Sequence, residues 1–270
     1  TKDFEWSTNL SYSTNKNELK SISNDEFSMS TDWFMSGHTG EPIQQYTHRV
    51  KVGSPIGDFF GLKSVGLTTD GKWLVERFDE NGKKFYDYAN NATEADWQIL
   101  GNGVPTHYLN FNNTLRYKNW DLTIGMRGAF GFQILNFQEM YYANPTIQYN
   151  VLNSAFDTHP TYEIVDGGYG IKRASKDVTI SDSQRYVSEY VEDGDYWKID
   201  NVTLGYTFNT KTWKYVKNLR LYASCLNLAT ITGYKGLDPE VRMTGLDAGT
   251  DSRDKYPTNR SFTFGVNVTF

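Results

Sequence analysis

Cysteine is almost missing from this 270-residue sequence: Cys225 stands alone, which excludes an internal disulfide. No run approaches the roughly 18 to 20 apolar residues of a membrane-crossing helix, so helical spanning is excluded. Basic blocks are missing too. With a formal net charge of −5, the chain has no electrostatic footprint for nucleic acid. The four histidines, His38, His48, His107 and His159, lie far apart without ligand-like spacing, so no metal is expected. There is no G-x-S-x-G elbow, and Cys225 falls inside a strand pattern, which leaves nucleophilic catalysis without a candidate. The Gly-rich "DGGYG" at Asp166–Gly170 precedes no helical pattern and reads as a loop, not a phosphate cradle. No cofactor is expected and no enzymatic activity. No basic-then-apolar leader opens the chain and residue 1 is Thr, so the reading expects a removed signal or a piece of a longer protein.

Aromatic residues are plentiful: 19 Tyr, 16 Phe and 7 Trp against only 7 Pro, a balance that favours strands. The mean hydropathy of −0.60 suits a soluble protein. It equally suits a membrane barrel, in which lipid-facing and lumen-facing residues alternate and average out.

Alternation is what the chain displays. Trp120–Ile134, "WDLTIGMRGAFGFQI", keeps a period of two, with Leu122, Ile124, Met126, Phe130 and Phe132 on one face and Asp121, Thr123, Arg127 and Gln133 on the other. As one strand it would run about 50 Å at about 3.3 Å per residue. Asp3–Thr14, Pro105–Lys118, Val202–Phe208, Leu219–Cys225 (with a phase slip at Leu226) and Ser261–Phe270 repeat the pattern. Tyr46–Leu67 reads as a seventh strand, broken by glycines and a proline. Lys118-Asn119 and 209–218 are short connections, whereas 69–104, 135–195 and 230–257 are long, which puts the long loops on one side. The stretch 15–45 is too long for the short connection this scheme asks of it. Periodicity alone fits two readings, a soluble aromatic-rich carbohydrate-binding β-domain or a membrane barrel. Seven strands close no useful barrel, and open edges are not viable in hydrocarbon, so the second reading requires further strands from elsewhere in a longer chain.

Acids cluster in 236–257 at Asp238, Glu240, Asp247, Asp251 and Asp254, without the spacing of a calcium loop, and read as a solvated loop. The loop aromatics Trp97, Tyr141, Tyr142, Tyr162, Tyr169, Tyr186 and Tyr190 are expected mostly to pack the loops together.

Three segments carry more than composition: "DGDYWKIDNVTLGYTFN" at 193–209, "KNLRLYASCLNLATITGYKGLDPEV" at 217–241 and "YPTNRSFTFGVNVTF" at 256–270. In order and spacing they resemble the C-terminal end of SusC/RagA-type TonB-dependent outer-membrane transporters. The matching positions include Tyr196, Lys198, Asn201, Gly205-Tyr206, Leu219-Arg220, Asn227-Leu228, Tyr234, Asp238-Pro239-Glu240, Tyr256-Pro257, Arg260, Gly265 and Phe270. "VGSPIGDFFGLKSVGL" and "GVPTHYLNFNNTLRYKNWDL" are similar to upstream family segments, with Phe60, Leu62, His107 and Phe111 departing from the usual residues.

The resemblance implies an all-β fold: residues 1–270 as an antiparallel transmembrane β-barrel segment, the C-terminal third of a 22-stranded barrel with long extracellular loops. The signal, Ton box, plug and remaining strands would lie outside this chain. It further implies a Gram-negative outer membrane, a SusD-like surface lipoprotein as lid, TonB as the source of force, and import of an oligosaccharide or oligopeptide. Asn110, Asn112, Arg116, Arg127 and Gln133 are the candidate lumen-lining residues, and Phe270 resembles the terminal aromatic of the assembly signal.

Overall fold

The computed structural model describes residues 3–270; Thr1 and Lys2 of the expected 1–270 segment lie outside the described residues. Six antiparallel strands form one sheet in simple chain order: β1 (Phe4–Thr14), β2 (His107–Tyr117), β3 (Trp120–Phe130), β4 (Tyr196–Thr207), β5 (Asn218–Thr232) and β6 (Ser261–Thr269). Each forms for the reason the sequence announces: side chains alternate between faces, and every strand has an apolar and a polar set. The register aligns these sets across the sheet. Thr8, Asn113, Ile124, Val202, Cys225 and Phe262 stand side by side in one row, and Ser7, Thr114, Thr123, Thr203, Ser224 and Thr263 in the next.

The apolar face is bare. Phe262 and Phe264 are 65% and 81% exposed, and the wall residues found in the buried clusters, Ala129 and Tyr196, both belong to the polar face. Polar side chains on the apolar face include Thr8 and Asn113, neighbours in the register. The Trp6 indole covers Asn113 and donates Nε1–H to its Oδ1 at 3.1 Å, satisfying an amide that would otherwise sit open on that surface.

Three expectations need correction. Tyr46–Leu67 is no wall strand; it breaks into Tyr46–Lys51, Asp58–Gly61 and Ser64–Leu67, which belong to two small sheets outside the wall. Thr47, His48, Val50, Asp58 and Phe59 are all buried there, so neither side is a lipid face. Residues 15–106 are therefore one long connection, and the awkward stretch at 15–45 is simply its beginning. Long and short connections then alternate without exception: 15–106, 118–119, 131–195, 208–217 and 233–260.

The second correction concerns Trp120–Ile134. The strand ends at Phe130 because Gly131 takes φ +73, a left-handed conformation that only glycine adopts freely. Phe132 then turns into a buried cluster with Ala129, Ile134, Tyr196 and Tyr234, away from the apolar face on which the alternation placed it. The 15-residue β5, about 50 Å long at about 3.3 Å per residue, is the longest of the wall strands. Its predicted phase slip is present: the register with β4 shifts between Ile199 and Asn201, and Asn227 opposite has φ +54.

The long connections build a folded layer over one end of the sheet. Segments 59–89 and 135–190 share a core containing Phe59, Trp73, Leu135, Met140, Tyr141, Tyr186 and Tyr190. Each such side chain contributes about 1.5–3 kcal/mol on full burial, so this layer is a packed domain of loops. The expectation that loop aromatics pack is met for Tyr141, Tyr186 and Tyr190; Tyr169 remains exposed, beneath Lys83 at 3.7 Å from its ring.

Candidate functional site

The third correction is the acid-rich segment, which is not a solvated loop. It folds back onto the polar face of the wall and builds a dense polar cluster there. Pro239 fixes φ within the turn, and Asp238 closes it, its Oδ1 accepting the Glu240 N–H at 2.9 Å. Thr258 donates its hydroxyl to the other Asp238 oxygen, and Lys255 Nζ donates to the Asp238 carbonyl at 2.6 Å. Asp251 accepts the Tyr234 hydroxyl at 2.7 Å. Burial raises both acids, but the donors around Asp238 outweigh it and hold that carboxyl below the usual range, whereas Asp251 stays above it.

Glu240 is the hub. Its carboxylate accepts from Lys198 and Arg127, and from the Tyr196 hydroxyl at 3.3 Å, so it ties β3 and β4 to the loop. Lys198 is 1% exposed, an ammonium that burial would penalise heavily without its partner. Arg127 also donates to Asp200 at 3.2 Å. The β4 bulge explains that contact, because the extra residue puts Asp200 and Asn201 on the same polar side in succession.

Further along the polar face the pairing continues. Arg220 Nε donates to Asp121 Oδ1 at 3.0 Å, across Gly205. A Cβ at Gly205 would run into the Arg220 guanidinium and stand 2.6 Å from Asp121 Oδ1, so glycine is what lets the pair lie flat on the strand. Arg116 reaches Glu5 at 3.5 Å, and the Thr203 and Ser224 hydroxyls share a 2.8 Å hydrogen bond.

Of the residues singled out from sequence, Asn110 and Asn112 are exposed on the polar face beside Arg127 and Gly125, and Arg116 is exposed beside Glu5. Arg127 is on that face but engaged by Glu240 and Asp200. Gln133 stands beyond the wall, in the short strand Gln133–Asn136, where its Oε1 accepts the Asn102 N–H at 2.8 Å. Phe270, 77% exposed, lies past the end of β6 at a hollow shared with Trp213 and Tyr215. Lys198, Asp200 and Glu240 escaped the sequence reading as a site. Lys198 and Glu240 stood among the motif positions, but their meeting across 42 residues has no local signature.

His48 joins the first long connection to the last. It is fully buried, its Nε2 donates to the Ala248 carbonyl at 2.9 Å, and its Nδ1 accepts from the Thr47 hydroxyl at 2.8 Å. Burial pushes its pKa down, against the raising effects of the Ala248 carbonyl and Asp247. Among the described residues no group of three or more His, Cys, Asp or Glu converges as a metal site, and no helix is long and apolar enough to cross a membrane. What the polar face offers is a hydrogen-bonding wall with fixed charges.

No protein-family model matches the chain. TonB-dependent receptor P3 of Formosa agariphila is 30% identical over 100% of this chain and 27% of its own length. TonB-dependent receptor SusC of Bacteroides thetaiotaomicron is 26% identical, over 100% of this chain and 25% of its own. The chain therefore spans about a quarter of the length of these curated relatives. Among solved structures, the RagAB peptide transporter aligns with a TM-score of 0.75 at 17% identity, covering 100% of this chain and 28% of that one. Along its whole length the chain is similar in sequence to TonB-dependent receptors of the SusC type, and its fold is that of part of the RagAB transporter barrel.

Proposed function

We propose that residues 1–270 are the C-terminal β-barrel segment of an outer-membrane importer that moves an oligosaccharide or oligopeptide under the pull of TonB, beneath a SusD-like lipoprotein lid. The observation that carries this is the two-faced wall. Its apolar face is exposed, while Phe132, Ile134, Tyr234 and the Glu240 cluster pack against its polar face. Lipid suits the first face and a water-filled lumen the second. An 11-residue strand such as β3 extends about 36 Å at about 3.3 Å per residue, enough to cross a band about 25 Å tall when tilted.

In this reading Asn110, Asn112 and Arg116 line the lumen, Arg127 anchors the loop segment there, and Gln133 steadies the loop layer above. Phe270 serves as the assembly signal. The segment does no covalent chemistry; its part in import is to hold the wall and to shape the outer cavity.

The test uses the full-length protein. Membrane fractionation should recover it in the outer membrane and require detergent for extraction. Recovery in the soluble fraction would sink the reading and favour a soluble carbohydrate-binding β-domain. Growth on single glycans or peptides after deletion of the transporter and its lipoprotein then assigns the substrate.

A further inference from the structure

Among the described residues five tyrosines are buried, and four of them use their hydroxyl. Tyr141 donates to the Thr39 carbonyl, Tyr186 to the Thr47 carbonyl, Tyr196 to Glu240 and Tyr234 to Asp251. The fifth, Tyr190, is 4% exposed, and its hydroxyl has no hydrogen-bond partner among the described residues. It lines a cavity of about 110 Å³ in the loop layer.

Four carboxylates line the same cavity: Glu139, Asp157, Glu189 and Glu192. Two are fixed in place. Glu139 accepts the Ser154 hydroxyl at 2.9 Å, and Glu192 accepts from Asn136 Nδ2 at 2.9 Å and the Lys235 backbone N–H at 3.0 Å. Asp157 and Glu189 have no side-chain partner among the described residues. Against these four stand the His159 imidazole and one ammonium on the cavity wall, that of Lys235, which makes no ion pair among the described residues. Burial, and then the neighbouring Glu192, push the Glu139 carboxyl up.

We propose that this cavity binds a primary ammonium group carried by the imported molecule. The Tyr190 phenol oxygen and the carboxylates of the same cavity wall supply acceptors for its three N–H donors. The carboxylates do not converge closely enough for a metal ion, and the volume admits the end of a chain or a single substituent, not a whole oligomer. A peptide terminus and an amino sugar both present such an ammonium. The proposal rests on the import reading only for this source.

The experiment is isothermal titration calorimetry on the detergent-solubilised full-length protein with glycinamide, N-acetylglycinamide, glucosamine, N-acetylglucosamine and calcium chloride. At least one amine should bind tenfold or more tightly than its acetylated partner, and which one binds names the source. Tyr190→Phe, which keeps the ring against Trp73, and Glu189→Gln should each weaken that binding about tenfold, as expected for a hydrogen bond to a charged group. Binding that ignores acetylation, binding unchanged in both variants, no binding by either amine, or calcium in place of the amines overturns the proposal. Because the titration needs no membrane, failure of the import reading in fractionation would leave this result separately legible.

Discussion

Replacing Glu240 by glutamine is the most direct probe of how the loop is held to the wall. The change leaves the Lys198 ammonium, 1% exposed, facing a neutral amide. Asp238 is nearby, but its oxygens are already engaged by Thr258 and the Glu240 N–H. Removing one partner of a buried pair costs about 3–5 kcal/mol. The Glu240 side chain is 19% exposed and that of Arg127 41%, so water screens part of the interaction and the lower end applies. A loss of about 3 kcal/mol corresponds to about a hundredfold. The assay is hydrogen exchange on the full-length protein, reading the Val241 and Gly249 amides, which donate to the Pro239 and Arg242 carbonyls. If the segment opens as a local unit, their protection should fall about a hundredfold. Adding Lys198→Met should restore most of it, since the stranded charge is gone. Protection within about threefold of the parent in Glu240→Gln, or a double variant worse than the single, would refute the latch.

On the apolar face, Ile124→Arg should destabilise the protein in bilayers by about 2–4 kcal/mol, and Thr123→Arg on the polar face far less, as read by urea-dependent folding into vesicles. Gly205→Ala should cost about 1–3 kcal/mol in the same assay by forcing Arg220 off Asp121. His48 predicts a pH dependence. Its folded pKa lies below its ordinary value of 6.5, so the unfolded chain takes up a proton that the folded chain refuses. The contribution is intact above about pH 6.5 and is lost as pH falls towards the folded value, so thermal unfolding of the parent should move down between about pH 7.5 and 5 while His48→Gln shifts less.

Much of the wall was legible without coordinates, and the reason is locality. A period of two is a property of neighbouring residues, so Phe262, Phe264, Val266 and Val268 share a face wherever β6 goes. The short connections could be read for the same reason. The resemblance then supplied the family. The errors fell where alternation ran into long-range packing. Tyr46–Leu67 reads as a broken wall strand, yet many of its residues are buried among segments far along the chain, which a local pattern does not report. Phe132 continues the phase of Trp120–Phe130, but the backbone at Gly131 turns it inward.

The sequence by itself determined the two faces of the wall and the side on which the long loops lie, because both follow from side-chain order along single strands. Only the tertiary structure decided which segments join the wall, and it alone brought Glu240 to Lys198 and Tyr190 to its ring of carboxylates. Those meetings depend on burial by residues distant in the chain, and burial sets the cost of leaving a charge or a hydroxyl unpaired.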